Sequence, residues 1–117
     1  MNHEEFLKVV DDTNGRCIDL LGKKRKHRET SDNRLLQFDA VSALRQRSTI
    51  SAVADMMVKH TTQLFAMVKE HEDGIPINPE EWNETIIDNM NYHHLMVAAL
   101  HEYFTIHGES ELAHPRS

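Results

Sequence analysis

Glu84, Asp88 and Asn91 stand at i, i+4 and i+7 in a stretch with no helix breaker, so a helix puts all three on one face. Two carboxylates one turn apart form an oxygen-rich half-site of the kind Mg²⁺ accepts, because that ion binds through one or two carboxylates and completes its shell with waters and substrate phosphates. Further along, the same face turns apolar at Leu95 and Ala98, which predicts protein cover on that side and partial burial of the carboxylates. A buried carboxylate needs a cation, hydrogen-bond donors or a metal beside it. The ordinary alternative is the solvated, acidic first half of a long helix, which the helix dipole favours.

Residues 23–28, Lys-Lys-Arg-Lys-His-Arg, hold five of the thirteen Lys and Arg residues. Such a strip contacts phosphate, or else is a solvated helix end whose cations complement the dipole. The formal net charge of -6 disfavours broad nucleic-acid binding, which needs a positive surface. Nine histidines are many for 117 residues, yet no HExxH or CxxC spacing occurs, and His93 falls within an apolar stripe where a satisfied core imidazole is the commoner role. Structural zinc is therefore not expected. Lys59 follows Asp55 by four residues, the spacing of a surface ion pair. Neither a nucleophile motif nor a glycine-rich phosphate loop is present, which sets aside triad and P-loop chemistry.

The elements that must position these residues are helices. Phe6, Val9, Val10, Thr13, Cys17, Leu20 and Leu21 recur at helical spacing and predict a first helix over 4–21, with Gly22 as its stop. Residues 23–34 lack apolar periodicity and read as a loop or a ragged helical extension. Leu35, Leu36, Phe38, Val41 and Leu44 predict a short second helix reaching about Arg47. Ser48 or Thr49 caps a third, whose stripe is Ile50, Val53, Ala54, Met57, Thr61, Leu64 and Val68 and which ends near Glu72. The run Asp73, Gly74, Pro76, Asn78, Pro79 is the clearest break, with Asn78 as cap of a fourth helix. Ile86, Met90, His93, Val97, Leu100 and Phe104 give that helix an apolar stripe to about Ile106, opposite the Glu84 face. The expectation is an all-α compact bundle of about four helices in one domain, residues 1–107, followed by a flexible tail, 108–117. A fourth helix apolar on two sides further predicts a homodimer, because a four-helix monomer covers only one of them well.

One cysteine, Cys17, excludes an internal disulfide and points to a reducing compartment. No apolar run approaches ~18 residues, and MNHEEF lacks a signal-like start. A cytoplasmic protein without a membrane partner is expected.

Three segments taken together, Asp32-x-Arg34-Leu35-x-Gln37-Phe38, Lys59-His60 and Glu84-Thr-Ile-Ile-Asp88-x-x-Asn91-Tyr92, resemble a group of small phage and prophage helical proteins. That group is similar to the all-α nucleoside triphosphate pyrophosphatases, the MazG and dimeric dUTPase relatives, and to nucleotide modification associated domains. The resemblance spans roughly residues 17–104. It implies a nucleotide ligand, with Mg²⁺ held by acidic residues on neighbouring helices while water attacks phosphorus to release pyrophosphate. Glu84 and Asp88 would be one half of the metal site, with Asp32 or Asp39 as a further carboxylate. Arg34, Lys59, His60, Asn91 and Tyr92 would contact the substrate. In the enzymes the preceding helix carries an ExxE pair; here that region offers Lys59 and His60, and a lysine holds phosphate but not Mg²⁺. The other reading is a non-enzymatic interaction or assembly module of phage origin, using the polar face of the fourth helix.

Overall fold

The computed structural model describes residues 1–28, 34–45 and 48–107, with the backbone alone at 24–28, 36, 44 and 45. Four helices follow in order: α1 (His3–Arg28), α2 (Leu36–Arg45), α3 (Thr49–Glu72) and α4 (Pro79–Ile106). The described residues hold no strand. None of these helices is long and apolar enough to cross a membrane.

The helix ends follow from local chemistry. Asn2 accepts the Glu5 amide at 2.8 Å, and Ser48 accepts the Ser51 amide at 3.0 Å, each satisfying an orphan donor of a first turn. At the end of α3, Gly74 takes φ 80°, and the amides of Gly74 and Ile75 close back on the carbonyls of His71 and Glu70. This Schellman arrangement needs a left-handed residue, which glycine adopts without Cβ strain. Four residues on, Asn78 accepts the Glu80 amide at 2.7 Å and Pro79 opens α4.

One boundary departs from the sequence reading. Gly22 does not stop α1: the helix runs on to Arg28, so of the two readings of residues 23–28 it is the helical extension that forms. An interior glycine costs only about 1 kcal/mol relative to alanine, and the lysines and arginines that follow are good helix formers whose charge suits a helix C-terminus.

α3 and α4 pack antiparallel. Their contacts run in opposite order, from His71 against Trp82, through His60 against Tyr92, to Ala52 and Val53 beside Ala99. α2 lies on α3, and α1 touches α4 alone among the described helices. The core consists of Leu35, Phe38, Ala52, Val53 and Ala99, surrounded by Ile50, Met56, Met57, Tyr92, Leu95 and Met96. The inward face of α4 differs from the expected stripe. Thr85, Ile87, Asn91 and Ala99 are buried, whereas Ile86, His93 and Val97 face solvent. α1 is buried only around Cys17, and Phe6, Val9 and Val10 of its expected core stripe are exposed.

Candidate functional site

α1 and α4 enclose a cleft of about 520 Å³. From α1 it receives Arg16, Asp19, Leu20 and Lys23, and from α4 Glu80, Glu84, Ile87 and Asp88. Each set has the three- and four-residue spacing of one helix face, so the helices themselves fix which side chains meet. Arg16 donates to the Glu80 carboxylate at 2.5 Å, at the solvent edge. Glu84 is exposed and Asp88 half-buried. The two carboxylates singled out from sequence thus share a cleft, and the helix opposite them is α1, which brings cations.

One turn beyond Asp88 the packing becomes dry. Asn91 is buried, and its amide donates to the Cys17 carbonyl at 3.4 Å, while its own Oδ1 has no hydrogen-bond partner among the described residues. The Cys17 thiol is fully buried and points at the Met90 sulfur, 4.0 Å away. Burial pushes that thiol above its ordinary value of 9.0, with the neighbouring Arg16 charge pulling it down.

The remaining expected site residues lie elsewhere. His60 of α3 is half-buried and stacks on Tyr92 of α4, centroids 4.5 Å apart, and Tyr92 also meets Phe38 of α2 edge-on at 6.3 Å. Lys59 is exposed on α3. Arg34 donates to the Leu21 carbonyl at 3.3 Å and borders a separate open groove with His94, Val97, His101 and Glu102. Asp39 accepts the Thr49 hydroxyl at 2.6 Å, a clamp between α2 and α3. Asp32 lies outside the described residues. Among the expected residues that are described, Glu84 and Asp88 line the α1–α4 cleft, and Arg34, His60 and Tyr92 do not join them.

Sequence reading passed over Arg16, Asp19 and Glu80, although the 16, 19, 23 spacing of charges on the first helix was a visible signal. It also passed over Asn89. That side chain donates to the carbonyls of His60 at 3.2 Å and Thr85 at 2.8 Å and accepts from the Thr61 hydroxyl, tying α4 to α3. Among the described residues no group of three or more His, Cys, Asp or Glu side chains assembles in a way that could hold a metal ion. The chain matches no family model, no curated protein and no solved structure.

Proposed function

We propose that the chain binds a nucleotide by its phosphates in the α1–α4 cleft, as a MazG-like helical protein of phage or prophage origin would. The observation that supports this is the charge arrangement: Glu84 and Asp88 from one helix, Arg16 and Lys23 from the other, around one cavity. A phosphate chain with Mg²⁺ presents both signs of charge and needs both in reply. Arg16 and Lys23 answer the phosphate oxygens, and Arg16 does so with a planar fork suited to them. Glu84 and Asp88 answer the cation.

Two carboxylates fit a Mg²⁺ that arrives on its phosphates and keeps several waters, and do not by themselves make an all-protein cage. When bound, that ion would neutralise charge on the phosphate oxygens. The second acidic pair of the pyrophosphatases has no counterpart at Lys59 and His60, so the reading is binding first, with hydrolysis to monophosphate and pyrophosphate as the further activity to assay.

The test is calorimetric titration of Mg²⁺ and a panel of standard and modified nucleotides into the parent and Asp88→Asn, alongside thermal melts and pyrophosphate release. Asparagine keeps the shape and one carbonyl oxygen but lacks the charge a hard cation requires. Asp88→Asn is expected to lose Mg²⁺-dependent binding with its melting unchanged. Equal Mg²⁺-dependent binding by both proteins would remove the metal site from this reading, and no nucleotide binding by the parent would defeat the reading itself.

A second reading is a homodimeric assembly module without catalysis. It is favoured by the large apolar side chains left in solvent, Phe6, Leu7 and Ile18 of α1 and Phe65 of α3 among them.

A further inference from the structure

The face of α4 that meets α1 at Asn91 continues past that contact. Asn91, His94, Ala98 and His101 follow one another at spacings of three, four and three, one stripe of a helix. Beyond Asn91 the residues across from this stripe no longer come from α1: Arg34 and Leu35, just ahead of α2, stand there, and the two sides border an open groove of about 610 Å³. That is the size of a site for a small organic molecule. Its floor is apolar, made by the buried Leu35 with Ala98 and Val97, and Val97 lies 61% exposed in it.

The rim is polar and largely unspent. Arg34 donates to the neutral Leu21 carbonyl, which anchors the side chain without offsetting its charge, and it enters no ion pair among the described residues. Most of the five N–H donors of a guanidinium therefore stay available. The side chains of His94 and His101 have no hydrogen-bond or ion-pair partner among the described residues. Seven residues separate them, about 10 Å along the axis, so they are two separate donors rather than two ligands of one metal ion. Glu102 puts one negative charge on the same rim.

We propose that this groove binds a small organic carboxylate, a molecule with one anionic end and an apolar body. The planar fork of Arg34 takes the carboxylate, and an imidazole N–H of His94 or His101 adds a further donor. The apolar body covers Leu35, Val97 and Ala98, which are otherwise the part of the groove left against water. Glu102 limits the charge: a second negative charge on the ligand would meet it over an apolar floor. A phosphate monoester, which carries nearly two charges at neutral pH, is therefore the poorer oxyanion for this site. The proposal does not rest on the nucleotide reading, because no residue of the groove lines the α1–α4 cleft.

Calorimetric titration of the full chain with octanoate, octyl phosphate and octanol tests the proposal, with circular dichroism as the fold control. The parent is expected to bind octanoate at submillimolar concentration, octyl phosphate several-fold more weakly and octanol more weakly still. Arg34→Gln should weaken octanoate about tenfold or more and leave octanol unchanged. Val97→Asp should abolish binding of both. Arg34 and Val97 are exposed, so both variants should keep the parent's spectrum. Leu7→Asp, at an exposed apolar position of α1, should bind octanoate like the parent, which separates the groove from a general affinity for apolar surface. No octanoate binding by the parent at low millimolar concentration overturns the proposal, as does equal octanoate affinity in Arg34→Gln, or a loss in Leu7→Asp that matches Val97→Asp. Tighter binding of octyl phosphate than of octanoate overturns the assignment to carboxylates.

Discussion

The imidazole of His60 lies against the ring of Tyr92 with 27° between their planes, and the same tyrosine receives Phe38 edge-on, so α2, α3 and α4 meet at one phenol ring. Stacked and edge-to-face pairs contribute about 0.5–1.5 kcal/mol each beyond the area they bury. The junction is structural: a ligand stacking on Tyr92 would first have to displace His60.

Tyr92→Ala is therefore expected to lower unfolding free energy by about 2–3 kcal/mol, less than the roughly 3–5 kcal/mol of a fully buried aromatic because the ring is half-buried. Tyr92→Phe keeps both ring contacts and should cost about 1 kcal/mol or less. Urea denaturation of the two variants separates them; equal losses would show that the hydroxyl, not the ring, holds the junction.

Asn89 makes a second tie between α3 and α4. Asn89→Ala removes its donors and acceptor and is expected to cost about 1–3 kcal/mol. Asn89→Asp should be worse at neutral pH, because a carboxylate would face the His60 and Thr85 carbonyls without a proton to donate. Its folded form would then favour the protonated acid, so its stability should recover as pH falls. Melting curves of both variants between neutral and mildly acidic pH check the order and its convergence.

The connections were the legible part of the sequence, since capping and turn chemistry are local. Ser48, Gly74, Asn78 and Pro79 act in the structure where their types predicted. The stripe of α3 was legible in part: Val53 is buried and Ile50, Ala54, Met57, Thr61 and Leu64 are half-buried, but Val68 is exposed, and the buried Ala52 and Met67 lie outside the expected stripe. α4 was not, because apolar residues occur all round it and periodicity alone cannot choose a face. Thr85 and Asn91 went inside while Ile86 and Val97 stayed out. The same ambiguity hid the partner of Glu84 and Asp88: which helix lies opposite a face is a property of packing, and α1 rather than α3 took that place.

The Cys17 thiol gives a pH signature. Its folded value is raised above 9.0, so the folded chain holds the proton more tightly than the unfolded one. The stability this contributes is fully present below the unfolded value and is lost as pH rises through the folded one. Thermal melts from pH 7 to 10.5 should show a steeper decline for the parent than for Cys17→Ala, once the constant offset from the missing sulfur is removed. Parallel curves would mean that the thiolate is tolerated between α1 and Met90.

Arg16 separates stability from binding. Its ion pair with Glu80 bridges α1 and α4, but both side chains are about half exposed, at 43% and 58%, and exposed pairs contribute only about 0–1 kcal/mol because water and salt screen them. Arg16→Ala should therefore melt within a few degrees of the parent. If the cleft takes phosphate, the same change removes its planar donor and frees Glu80 to repel the ligand, so nucleotide affinity should fall about tenfold or more and lose part of its salt dependence. Arg16→Lys keeps the charge without the fork and should lie between the two. Titration of one Mg²⁺-nucleotide at two ionic strengths into the three proteins reads this directly. Unchanged affinity with unchanged melting would leave Arg16 a surface residue and remove the cation from the proposed site.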